Sequence, residues 1–221
     1  MDDCLIDYSE IGLSQEEILR EIGYRDTLPD ASVLEIITCL LARLAKEVRP
    51  RYLYFVSEGE INGTSVHIQN QQFETGPVIT RLLDKSSSFA VFVATAGNEF
   101  EQIMQESKTK GDMLENYILD VMGTAIVEKA GDYIERMLEK ELLEMLHTNR
   151  FSPGYCNWHL TEQRKIFGLL GNQPCGVALS DVCLMSPIKS ISGIIGIGKD
   201  VEPRQYACRY CELESCFKRK K

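Results

Sequence analysis

No run of apolar residues in this sequence approaches the roughly 18–20 needed to span a bilayer, so no membrane span is expected. Positive charge is in deficit. Lys and Arg total 24 against 33 Asp and Glu, a formal net charge of −9. A protein that binds nucleic acid across its surface needs the opposite balance. Histidine is scarce, and His67, His147 and His159 lie too far apart to make a His-x-x-x-His zinc pattern. No Walker loop, GxGxxG or GxSxG nucleophile elbow is present. There is no internal repeat and no low-complexity tract. The N-terminus, Met1-Asp2-Asp3-Cys4, is acidic and lacks the charged-then-apolar pattern of a secretory signal, so a cytoplasmic location is expected.

What is present is enough for one substantial domain: 221 residues, 44% of them apolar. The eight cysteines are the unusual count. Cys4, Cys39, Cys156, Cys175 and Cys183 are scattered, and their expected state is burial as small apolar residues. Cys208, Cys211 and Cys216 crowd near the C-terminus. Ser14 reads as a helix N-cap, with Gly23 as the stop. A second helix runs from Asp30, with Val33, Ile37, Leu40 and Leu44 at helical spacing, until Pro50 ends it. Tyr52 to Val56 reads as a short strand. Residues 58–76 read as a loop with one edge strand at Ser65–Ile68, and Val78 to Leu83 as a helical turn.

Phe89 to Ala94 is a continuous apolar run expected to form a buried central strand. Gly97 closes it, and Asn98 is placed as the cap of the next helix. Residues 112–147 form one long helix with a stripe at Ile118, Met122, Ile126, Ala130, Tyr133 and Met137, and a kink is expected near Gly123 or Gly131. Arg150 to Tyr155 reads as a turn, and Thr161 caps a helix to Leu170. Strands interrupted by Pro187, Gly193 and Gly196 fill 176–198. This order predicts an α+β fold: a mostly antiparallel sheet with flanking helices, one of them long.

One block resembles a known family. Arg150-Phe-Ser-Pro-Gly-Tyr155, then Trp158, Glu162 and Gln163, then Ser180-Asp-Val-Cys-Leu-Met-Ser-Pro187 and Lys189-Ser-Ile-Ser-Gly193 resemble the activation domain of vitamin B12-dependent methionine synthase. Ala94-Thr-Ala-Gly97, Tyr117-Ile-Leu-Asp120, Gly123 and Glu128 fit its preceding part. The resemblance covers about residues 10–200 and implies an activation-like domain over residues 1–200; a cysteine-rich basic tail over 201–221 is expected to lie outside it. The resemblance also implies a free-standing protein that binds S-adenosylmethionine. Such a protein supports reductive methylation of the cobalamin of a separate methionine synthase core or related corrinoid protein, with an electron from a flavodoxin-like donor.

The implied ligand contacts are Glu128, Arg150, Gly154, Tyr155, Lys189 and Ser190. Arg150 has the planar fork that pairs with the ligand's α-carboxylate, and a carboxylate such as Glu128 suits its cationic end. The family's ligand-touching N-terminal aspartate has two candidates here, Asp26 and Asp30. In the tail, Cys208-x-x-Cys211 followed by Cys216 can place thiolates on zinc or an iron–sulfur cluster. The alternative reading is a metal- or redox-binding accessory protein that keeps the fold without the S-adenosylmethionine site. Convergence of Glu128, Arg150 and Tyr155 on one pocket separates the two.

Overall fold

The computed structural model describes residues 4–25, 27–142 and 144–201. In chain order the elements are β1 (Cys4–Leu5), α1 (Tyr8–Ile11), α2 (Gln15–Glu21), α3 (Ala31–Glu47), β2 (Arg51–Asn62), β3 (Ser65–Ile68), β4 (Gln71–Phe73) and α4 (Gly76–Leu82). There follow β5 (Ser88–Thr95), α5 (Asn98–Lys110), α6 (Met113–Glu141), β6 (Leu146–Phe151), α7 (Gln163–Leu170), β7 (Ala178–Leu179), β8 (Met185–Ser186) and β9 (Ser190–Gly198). The main sheet runs β4-β3-β2-β5-β9-β6, with β1 pairing the start of β2. Its ladders are antiparallel throughout. The fold is therefore α+β with a mostly antiparallel sheet, as the order of elements predicts.

The apolar run is the central strand β5, paired on both edges by β2 and β9. Its alternation feeds two cores. Ala90, Phe92 and Ala94 pack against α3, α5 and α6. Phe89, Val91 and Val93 point to the other face, where Ile79 of α4, Ile166 and Leu170 of α7, and Trp158 cover them. With every β5 residue from Phe89 to Thr95 buried, this strand anchors the molecule, since each large apolar side chain buried contributes about 1.5–3 kcal/mol.

Helix α6 runs unbroken for 29 residues, about 43 Å. The helix continues through both glycines, which allow close approach of neighbouring side chains. A Cβ on Gly123 would strike the Phe100 ring, and one on Gly131 would lie 2.8 Å from the Arg150 guanidinium carbon and from Ile191 Cδ1. The helix starts firmly because the Asp112 carboxylate accepts from Leu114 N (2.9 Å) and Glu115 N (3.1 Å). Asp112→Ala is expected to cost about 1 kcal/mol in chemical denaturation.

Several boundaries differ from the sequence reading. The strand expected at 52–56 continues to Asn62, because its outer half alternates half-buried and exposed residues and pairs with β3 in a hairpin. β4 then adds a further strand where a loop was expected. Val78–Leu83 belongs to a two-turn helix, α4. Asn98 does not cap α5; Gly97 occupies that position without a side-chain bond. Thr161 does not cap the helix after the turn. His159 caps the short 3-10 turn that leads into α7, accepting from Thr161 N, and Glu162 stands at the head of α7 without a side-chain cap bond. Gly193 and Gly196 lie inside β9 and do not interrupt it, since backbone or side-chain atoms of Phe151 and Ser86 press where a Cβ would stand. Among the scattered cysteines only Cys175 and Cys183 are buried. Cys4 and Cys39 are exposed and Cys156 is half-buried.

Candidate functional site

Arg150 sits in edge strand β6, one residue before the chain leaves the sheet, and not in the turn the sequence suggested. Strand β6 lies beside β9, which pairs Arg150 with Ile195 and Phe151 with Ile194. From there the guanidinium reaches across to α6, into the space left by Gly131. Three carboxylates of α6 meet it. Nη2 lies 3.3 Å from Glu128 and 2.9 Å from Asp132, and Nη1 lies 3.1 Å from Glu135. Positions 128, 132 and 135 share one helical face by the i, i+4, i+7 rule.

The Arg150 side chain is mostly buried, at 16% exposure, whereas those of Glu128 and Asp132 are each 54% exposed and that of Glu135 25%. Burial pushes the Glu135 carboxyl above its ordinary value, against the opposing pull of Arg150.

These groups line a cavity of about 520 Å³, closed by Phe92, Ile191, Phe151, Tyr155 and Cys156 among others. Tyr155 enters from the Ser152–Cys156 turn and is 61% exposed. That turn is pinned by Trp158. Its carbonyl accepts from Gly154 N (2.7 Å), its backbone N–H donates to Tyr155 O (2.9 Å), and its buried ring meets Phe73 edge-on. Gly154 has φ +98°, a conformation that favours glycine, so its part is to shape the turn. A second groove of about 680 Å³ runs along the neighbouring face of α6, between Arg20, Glu21 and Arg25 on one side and Tyr117, Asp120 and Thr124 on the other. Glu128 and Asp132 line both spaces.

The sequence-selected residues thus divide. Glu128, Arg150 and Tyr155 come together at one cavity. Lys189 does not join them: its Nζ bonds Asp120 (2.8 Å) and Thr124 (2.9 Å), at the second groove. Ser190 is buried, with its hydroxyl between Pro187 O (2.7 Å) and Thr95 Oγ1 (2.8 Å), in the ladder beside β5. Asp30 is the N-cap residue of α3 and lines neither space. Asp26, Cys208, Cys211 and Cys216 lie outside the described residues. Among the described residues no group of three or more His, Cys, Asp or Glu side chains could hold a metal ion. Nor is any helix among them long and apolar enough to cross a membrane. Sequence reasoning missed Asp132, Glu135 and Gly131. Their signal was the spacing of acids at 128, 132 and 135 around a helical glycine.

Residues 78–218 match the family model described as vitamin B12 dependent methionine synthase, activation domain. The match continues past residue 200 and takes in the three C-terminal cysteines. No curated protein matches the chain. Among solved structures, the fold is similar to that of the MetH reactivation domain bound to AdoHcy, with a TM-score of 0.62 at 15% identity, over 93% of this chain and 80% of that one. With nearly two thirds of its length inside the family match, the chain belongs to the family of the activation domain of vitamin B12 dependent methionine synthase.

Proposed function

We propose that this chain binds S-adenosylmethionine at the Arg150 cavity and supports reductive methylation of cobalamin carried by a separate cytoplasmic protein, a methionine synthase core or related corrinoid methyltransferase. The observation that carries this reading is the meeting of Glu128, Arg150 and Tyr155 at one space, from a helix, a strand and a turn far apart in sequence. The donor set fits the ligand. A cavity of about 520 Å³ is within the usual range for a small-molecule site. Arg150 offers a planar fork to the ligand's carboxylate. Of its three partners, Glu128 is the longest contact and is half-exposed, so it is the one the incoming carboxylate displaces. Once released, Glu128 accepts from the ligand's α-ammonium. Tyr155 lines the cavity and, at 61% exposure, is free to pack against the bound molecule.

The ligand supplies a methyl group from its sulfonium, and a flavodoxin-like donor supplies the one electron that the oxidised cobalt of the partner requires. This chain's own residues bind and orient; the bond-making happens on the partner's metal. The test is reactivation. A methionine synthase core trapped in its cob(II)alamin form should recover activity with this chain, S-adenosylmethionine and a one-electron reductant together. Recovery that is equal without this chain would refute the reading.

A second proposal concerns Cys208, Cys211 and Cys216, whose spacing suits zinc or an iron–sulfur cluster and which lie within the family match. Protein purified without oxygen is expected to carry metal that the Cys208→Ser variant loses. Equal metal content in both would remove the site.

A further inference from the structure

Arg150 leaves edge strand β6 on a long side chain, so its guanidinium is placed by what it meets on α6. Two positions one helical turn apart, 131 and 135, hold it from the buried side. Gly131 is buried, and a Cβ on it would stand 2.8 Å from Cζ and Nε of Arg150 and from Ile191 Cδ1. Any side chain there would take the room that the guanidinium fills. Glu135 lies 3.1 Å from Nη1 and is 25% exposed, against 54% for Glu128 and Asp132, which both meet Nη2. Among the described residues Nη1 is buried and makes no hydrogen bond, so the Glu135 carboxylate is what holds its charge there. The guanidinium therefore has an inner end fixed by the fold and an outer end shared by two half-exposed acids.

We infer that Gly131 and Glu135 are the positioning residues of this site: they seat the Arg150 guanidinium so that its Nη2 end receives a ligand carboxylate, and they act on the ligand through Arg150. This rests on the reading of the cavity as an S-adenosylmethionine site. Gly131 contributes by the atom it lacks and Glu135 by its charge. The gain is preorganisation. A free arginine side chain samples many rotamers, and fixing it at the moment of binding lowers affinity. A seat already present in the fold removes that cost from the binding step.

The two residues also separate binding from folding. Alanine is a better helix former than glycine, and the atoms a Cβ would displace are the ends of two flexible side chains, Arg150 and Ile191. Gly131→Ala should therefore move the guanidinium while the fold tolerates the change. Glu135→Gln keeps the size and an acceptor oxygen and removes the charge.

The experiment is calorimetric titration of S-adenosylmethionine into the wild-type chain, Gly131→Ala, Glu135→Gln and Arg150→Ala, with thermal unfolding of each. Gly131→Ala and Glu135→Gln are each expected to weaken binding about tenfold, less than Arg150→Ala does, since neither can cost more than the group it acts through. Both should keep a Tm within about 3 °C of the wild type. Unchanged affinity in either variant would overturn the inference. So would a loss of binding accompanied in both by a fall in Tm well beyond that range, because such a parallel loss marks a merely structural role. A loss larger than that of Arg150→Ala would place the residue against the ligand itself and would also overturn it. Wild-type binding that survives both substitutions refutes this inference alone. If the wild type does not bind S-adenosylmethionine, the reading of the cavity fails, and this inference fails with it.

Discussion

Replacing Arg150 with alanine is expected to lower the affinity for S-adenosylmethionine by about 100-fold, the loss that follows from removing a charge-assisted, two-pronged contact to a carboxylate. The same change leaves Glu128, Asp132 and Glu135 side by side on one face of α6 without the cation they share. Like charges on successive turns of one helix destabilise it, and Glu135 is already pushed toward its neutral form by burial. A fall in thermal stability should therefore accompany the loss of binding, and it should grow as the pH rises and the acids ionise. Arg150→Lys separates the two effects. An ammonium keeps a positive charge among the acids but has no planar fork. It should recover most of the stability and little of the affinity. If Arg150→Lys bound the ligand like the wild type, Arg150 would act only as a counter-ion to α6. Unfolding followed by circular dichroism, with ligand titrations on the same samples, reads both outcomes.

The second large effect belongs to Gly193. It lies in β9 opposite Phe92 of β5, and a Cβ there would stand on the backbone carbonyl oxygen of Phe151, with the Phe92 ring 3.1 Å away. A flexible side chain can turn aside, but a carbonyl in a strand cannot move without pulling β6 from β9. Gly193→Ala is therefore expected to cost about 3 kcal/mol, seen as a drop in Tm of about 10 °C. It should also weaken ligand binding, because β6 carries Arg150 one residue before Phe151. Gly168→Ala is the control. In α7 the added methyl would meet only the amide nitrogen of Gln71, 3.8 Å away, so the change should be neutral or stabilising by up to about 1 kcal/mol. Equal stability of the two variants would show that the β6–β9 spacing is looser than described.

Gly193 also illustrates what the sequence conceals. In a one-dimensional reading, glycines at 193 and 196 break a strand. In three dimensions they are what lets β9 lie close to β6 and to the Leu83–Ser86 turn. The same holds for Gly131, which reads as a point of helix weakness and instead admits the arginine of another strand. Features set by local composition were legible. The apolar run at 89–94 formed the central strand, Ser14 accepted from Glu17 N at the start of α2, and the long stripe of α6 was buried from Ile118 to Ala130. In the β2–β4 arm the start of β2 and all of β3 were legible as strands, and the outer half of β2 and β4 were not. The hydrophobicity of the arm is low, and it is held by a hairpin and by the lid of Trp158 and α7, which are distant in sequence.

The site was legible to a comparable degree. Glu128, Arg150 and Tyr155 were selected by their resemblance to a family pattern and meet as selected. Lys189 and Ser190 carry equally specific sequence signals, yet one bonds Asp120 and Thr124 and the other is consumed in the core. Which polar residue of a motif faces a cavity depends on strand register, and a one-residue step reverses the face. In β9, Ile191 points to the cavity between a serine that does not and another, Ser192, whose hydroxyl is taken by the Gln163 side chain at 3.2 Å.

The most direct test of this account is an isothermal titration of S-adenosylmethionine into the full chain. It predicts a single saturable site whose heat is lost in Arg150→Ala while that variant remains folded by circular dichroism. An absence of binding at millimolar ligand, or binding unchanged in Arg150→Ala, would contradict it.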